Sequence, residues 1–163
     1  MSDPIRLRIL KTLCELIATE VSTQKGCVND LTDAVFRGRD RFVDDDPCPM
    51  VSILEAPKQD VGATPPGDSA HYLGPWDLFI QGFVRDDRDN PTDPAHVLMA
   101  EVKRALAKAH DEYNQWYMLK NDINGISIGP GVVRPADEIS GSAYFWLNIR
   151  LTLVENMSDP FAA

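Results

Sequence analysis

The chain is poor in the residues that carry simple chemistry. Its 163 residues include three cysteines, Cys14, Cys27 and Cys48, an odd number, widely spaced and without a CxxC pair. That spacing argues against a disulfide framework and a cysteine zinc site, and it suits a reducing compartment. The three histidines, His71, His96 and His110, do not cluster. His96 and His110 fall on one helix face but stand ~21 Å apart at 1.5 Å per residue, too far to share a metal. HExxH and GxSxG are missing. Gly129-Pro130-Gly131 lacks the third glycine of a dinucleotide loop, and its proline removes an N–H that a phosphate would use. Asp87-Arg88-Asp89 begins like a calcium loop but has no glycine at the sixth place and Leu98 at the twelfth. Asp137 and Glu138 fall in a polar turn, where nothing would raise a carboxyl pKa for acid–base work. No catalytic residue, cofactor or metal is expected.

Positive charge is also scarce. Sixteen Lys and Arg stand against 25 Asp and Glu, a formal net charge of −9. A protein that grips nucleic acid needs clustered cations, so this balance argues against one. It suits a surface that DNA must pass without sticking, because an acidic wall repels phosphates. No apolar run approaches the ~20 residues of a membrane helix. The charged, amphipathic segment after Met1–Pro4 does not read as a signal peptide. No internal repeat and no low-complexity segment is visible.

What is present is a composition able to build a core, 44% apolar and 25% charged, at a length that suits one domain. Trp76–Arg85 reads as a central strand. Trp76, Leu78, Ile80, Gly82 and Val84 alternate with Asp77, Phe79, Gln81, Phe83 and Arg85 at period two. Asp3-Pro4 opens a first helix, with the aspartate as cap and proline in the first turn. Ile9, Leu10, Leu13, Cys14, Ile17 and Val21 form its apolar stripe, Glu15 and Glu20 lie on its polar side, and it ends near Thr23. Cys14 reads as a small buried hydrophobe. Asp93-Pro94 repeats the helix start, and Ala95, Leu98, Met99, Val102, Ala105, Leu106 and Ala109 keep a narrow amphipathic stripe. Met50–Glu55, Ile123–Ile128, Val132–Pro135 and Ala143–Glu155 read as further strands. The last alternates Phe145, Leu147 and Ile149 with Tyr144, Trp146 and Asn148. Tyr144 and Trp146 either pack under helices or mark an interface. The 56–75 stretch, rich in Gly and Pro, reads as a loop or arm, and 156–163 as a loose tail.

Two charged stretches stand out. Arg37, Arg39 and Arg41 recur at every second position, which on an extended chain puts them on one side. They form either a solvated basic edge or a contact with an acidic partner or neighbouring subunit. Asp44-Asp45-Asp46 before Pro47 reads as a solvated loop.

The order of these segments resembles a known family. DAVFRGRDRF, MVSILEA, WDLFIQGFVRDD, the helix DPAHVLMAEVKRALAKA, ISIGPGVVRP and the closing SAYFWLNIRLTLVEN together are similar to tail terminator proteins of long-tailed bacteriophages, from about Pro4 to Glu155. The resemblance lies in a pattern, with no diagnostic motif. It implies an α/β (α+β) fold in a single domain over 1–155: a mostly antiparallel sheet of about four to five strands flanked by two main helices. It implies a structural virion protein, not an enzyme, made in the host cytoplasm and residing at the tail–neck junction. Copies would form a homo-oligomer, a hexameric ring that caps the completed tail tube, stops polymerisation and offers a surface to a neck or connector protein. DNA would pass through without specific binding, and no membrane would be involved.

On that reading Arg37, Arg39, Arg41, Phe79, Phe83, Tyr144 and Trp146 are candidates for subunit or partner contacts. Asp44, Asp45, Asp46, Asp86, Asp87 and Asp89 are candidates for the lumen wall. The competing expectations are another head–tail joining protein (neck or head-completion), a small cytoplasmic enzyme or ligand-binding domain, and the tube protein itself.

Overall fold

A computed structural model describes residues 2–57 and 70–162. Six strands make one sheet: β1 (Val35–Arg37), β2 (Met50–Glu55), β3 (His71–Val84), β4 (Gly125–Ile128), β5 (Val132–Arg134) and β6 (Ala143–Asn156). The order is β1-β2-β3-β6-β4, and β5 also pairs with β6. Among the described residues only the β1–β2 pair is parallel. The long helices are α1 (Ile5–Glu20) and α2 (Asp93–Ala107). The result is the mostly antiparallel α+β sheet that was expected, with six strands instead of four to five. The short β1 makes up the difference.

Strand β3 is central, as its alternation predicts, but it begins at His71 and not at Trp76. Gly74 and Pro75 suggest a loop, yet His71–Pro75 pair with Thr152–Asn156 of β6. Strand β2 ends opposite Leu78. Below that point β6 is the one paired neighbour of β3 among the described residues, and a proline is tolerated on such an edge. The rest of the expected 56–75 arm, residues 58–69, lies outside the described residues.

The inner face of the sheet carries Trp76, Leu78, Ile80, Phe145, Leu147, Ile149 and Leu151, all buried against the helices. Helix α1 contributes Ile9, Leu13, Leu16 and Ile17, and α2 contributes Leu98, Val102 and Leu106. Burial at this density is the main force for folding, ~25 cal/mol per Å² of apolar surface. Gly82 lies opposite Phe145. A Cβ on it would sit 2.0 Å from the Phe145 ring, so a larger side chain has no room. Among the described residues, one buried side-chain polar atom has no partner, the Trp76 indole nitrogen, with the Arg6 guanidinium 5.0 Å from its ring.

The ends of α1 differ from expectation. Asp3 does not cap the helix; its carboxylate pairs with Lys11 at 2.6 Å, and Pro4 stands just before the first turn. The helix stops at Glu20, followed by a 3-10 turn at Thr23–Lys25. The segment after β6 is tied down: the Ile5 N–H donates to the Pro160 carbonyl at 3.0 Å, and Arg8 reaches the Ala162 carbonyl.

Between α2 and β4 the chain makes a left-handed turn. Met118, Leu119, Lys120 and Asn121 have φ of 45, 50, 62 and 67°. Four consecutive non-glycine residues in this region are costly, ~1–2 kcal/mol each. Compensating contacts surround them. Leu119 is buried, Arg8 grips Asp122 with two hydrogen bonds (2.8 and 2.9 Å), and Lys120 pairs with Glu15 at 3.0 Å.

Candidate functional site

The helices cover one face of the sheet. The other face carries Met50, Ser52 and Leu54 of β2, Asp77, Phe79, Gln81 and Phe83 of β3, and Tyr144, Trp146, Asn148 and Arg150 of β6. The register sets Leu54 beside Phe79, Phe79 beside Asn148, Gln81 beside Trp146, and Phe83 beside Tyr144.

One end of this face is covered by the chain itself. The loop between β1 and β2 folds back, so that Phe42 packs on Phe83 with tilted rings, their centroids 4.3 Å apart. The Ser52 hydroxyl donates to the Arg39 carbonyl at 2.6 Å. Phe83 is 6% exposed and Tyr144 1%. These two expected contact residues are therefore internal, and no neighbour is needed to bury them. The Tyr144 hydroxyl donates to Asp137 at 2.7 Å. Asp137 also accepts the N–H groups of Ile139 and Ser140. The Tyr144 hydroxyl and these amides hold the Asp137 carboxyl below its ordinary pKa. Burial and the facing carboxylate push the Tyr144 phenol up.

The other end is open. Trp146 is 37% exposed, Phe79 is half-buried, and Val132 at the sheet edge is exposed. With Pro57, Pro130 and Asn148 they line a shallow apolar cleft of about 410 Å³. Next to it, Arg150 lies across the strands on Asp77 in a bidentate pair, 2.6 and 3.0 Å. This end has the make-up of an interface core: an aromatic anchor, aliphatic walls and a few amides at its margin.

The three arginines are not brought together. Strand β1 ends at Arg37, and Gly38 turns the chain with φ +68°. Arg37 reaches Cys14 under the inner face; burial raises the pKa of that thiol and Arg37 partly opposes the rise. Arg39 lies over the Phe36 ring at 4.1 Å and pairs with Asp46 at 2.6 Å. Arg41 is exposed. The expected single basic side fails because the extended stretch is only three residues long.

The acids converge better. The stretch leading into β2, the turn after β3 and the turn before β6 lie at one end of the sheet, since Met50 pairs with Phe83 and Val84 with Ala143. Asp44, Asp45, Asp86 and Asp89 are exposed there. Asp46 is occupied by Arg39 and by the Val43 N–H. Asp87 accepts the N–H groups of Asp89 and Asn90 at 2.9 and 2.7 Å, closing its own turn. Among the described residues no group of three His, Cys, Asp or Glu is arranged to hold a metal.

Two carboxylates that periodicity does not single out are buried. Glu20, read as polar surface, accepts the Trp116 indole N–H at 3.0 Å and a bond from Lys108. Burial pushes its pKa up, but these two bonds outweigh it and the carboxyl titrates below its ordinary value. Glu101 accepts the N–H of Val28 at 2.5 Å and the side-chain amide of Asn29 at 2.7 Å. A faint signal exists in sequence, since each lies at the margin of an apolar stripe.

Fold and face together define an α+β domain with one half-uncovered sheet face and an acidic end. Among known protein families and curated proteins, none matches the chain. No helix among the described residues is long and apolar enough to cross a membrane.

Proposed function

We propose that the chain is a structural virion protein that caps the finished tail tube of a long-tailed bacteriophage. Copies form a ring, hexameric by the family resemblance. The ring halts tube growth and presents a surface to a neck or connector protein, with DNA passing through it. It acts without catalysis or cofactor. The observation that carries this reading is the open end of the outer sheet face, where Phe79, Trp146 and Val132 stand around an apolar cleft. Large apolar side chains grouped on a surface mark interaction sites. A ring contact is heterologous, so this patch meets a different patch of the next copy. The similarity of WDLFIQGFVRDD and SAYFWLNIRLTLVEN to tail terminators supplies the identity of the assembly. Those two segments supply most of β3 and all of β6, whose pairing builds the face.

The acidic end then faces the lumen, with Asp44, Asp45, Asp86 and Asp89 as the wall. Asp46 and Asp87 serve the turns that hold it. Trp146→Glu places a charge in the contact and leaves the inner face untouched.

The discriminating experiment mixes purified tail tubes and portal complexes with the tagged chain. Wild type binds one end of the tubes as a ring, and Trp146→Glu does not. Binding to portals alone would favour another head–tail joining protein. An imaged ring with the four carboxylates on its outer rim would overturn the lumen assignment.

A further inference from the structure

A second apolar surface lies on the helical layer, beside the turn that carries Asp87. Val28, in the loop after α1, is 78% exposed, and Val97 on α2 is 40% exposed. Both line a groove of about 320 Å³ whose floor is completed by Pro94. Single exposed aliphatics are ordinary, but two side by side with a proline form a patch. Val28 is also held firmly. The buried carboxylate of Glu101 accepts its N–H at 2.5 Å, and the N–H and side-chain amide of Asn29 at 3.3 and 2.7 Å. Those bonds fix the backbone and are indifferent to the side chain at position 28. A polar side chain would serve the loop equally well.

The rim is acidic. Asp87 and Asp93 line the groove, and among the described residues no lysine or arginine does. Between 85 and 93 the sequence carries four carboxylates (Asp86, Asp87, Asp89, Asp93) and two guanidiniums, Arg85 and Arg88. The N-terminus of α2 adds partial positive charge, which Asp93 in its first turn offsets. An apolar floor under an acidic rim is complementary to a side chain pair of the opposite make-up. A nucleic acid or an acidic peptide would meet like charge.

We infer that this groove docks a segment of a partner protein that presents an aliphatic side chain next to a lysine or arginine. The aliphatic group covers Val28 and Val97, and the cation sits against Asp87 and Asp93.

The test is an NMR titration of the ¹⁵N-labelled full chain with two probes, acetyl-Lys-Leu-Arg-amide and acetyl-Glu-Leu-Glu-amide. The basic peptide is expected to shift the amides of Val28, Asn29 and Val97 saturably, while the acidic one leaves them in place. Val28→Ser should weaken the basic peptide roughly tenfold, the weight of one covered aliphatic side chain. The double variant Asp87→Asn, Asp93→Asn should weaken it and remove most of its salt dependence. The asparagine at 87 can still accept the turn N–H groups, and thermal melts of all variants verify folding. Equal response to both peptides, or shifts confined to other surfaces, overturns the inference. So does loss of self-association by Val28→Ser in sedimentation with no peptide response, which would make the occupant a second copy.

Discussion

Single residues set the tightest constraints. At Gly82 the missing side chain is required, because the Phe145 ring occupies the space at 2.0 Å from a built Cβ. Gly82→Ala should lower stability by about 3 kcal/mol, the upper range for overpacking a filled core, read as a shift in urea midpoint. An unchanged midpoint would mean that Phe145 can move aside. Glu20 makes a pH prediction. Its folded pKa lies below the unfolded value, so its contribution is full above the unfolded pKa of ~4.3. That contribution is lost as pH falls through the folded value. Glu20→Gln should therefore melt lower than wild type at pH 7, and the gap should close progressively below about pH 4. A gap that stays constant with pH would show that the carboxylate charge contributes nothing. The sequence carries only a faint sign of this site. Helical periodicity sets Glu20 on a polar stripe, whereas Trp116 and Lys108, which surround it, converge from far along the chain.

Among the elements, the two long strands and two long helices were legible because burial imposes a period on sequence. Period two predicts β3 and β6, and the narrow stripe from Ala95 to Ala109 predicts α2. The failures have physical reasons. His71–Pro75 looks like loop because Gly74 and Pro75 are poor strand formers, yet fourteen consecutive pairs with β6 carry it into the sheet. Alternation assigns Phe83 and Tyr144 to the outer face correctly. It cannot say that the loop bearing Phe42 returns to cover them. The left-handed turn Met118–Asn121 has no glycine or proline to announce it. It makes a test with a reversed sign. In an ordinary helix alanine is better than glycine by ~1 kcal/mol. At Lys120 both substitutions remove the exposed pair with Glu15, so their difference isolates the backbone. Lys120→Gly should be more stable than Lys120→Ala by about 1 kcal/mol, measured by chemical denaturation. The opposite order would contradict the left-handed geometry.

For the whole molecule, the candidate site was half legible. Phe79 and Trp146 remain at the surface, where outward alternation of large apolar residues suggested a contact, and Phe83 and Tyr144 do not. The arginine series dissolved when β1 proved only three residues long. The acids did gather, because strand register delivers three turns to one end. The resulting body has a helical layer, a half-covered sheet and an acidic pole, which in the proposed ring would face the passing polyanion. The most direct test of the capping proposal is the length of tails assembled in host cells that make wild-type chain, no chain, or Trp146→Glu. Negative-stain imaging should show tails of one length with wild type, and overgrown tubes of scattered length in the other two. Tails of one uniform length in the absence of the chain would contradict the proposal.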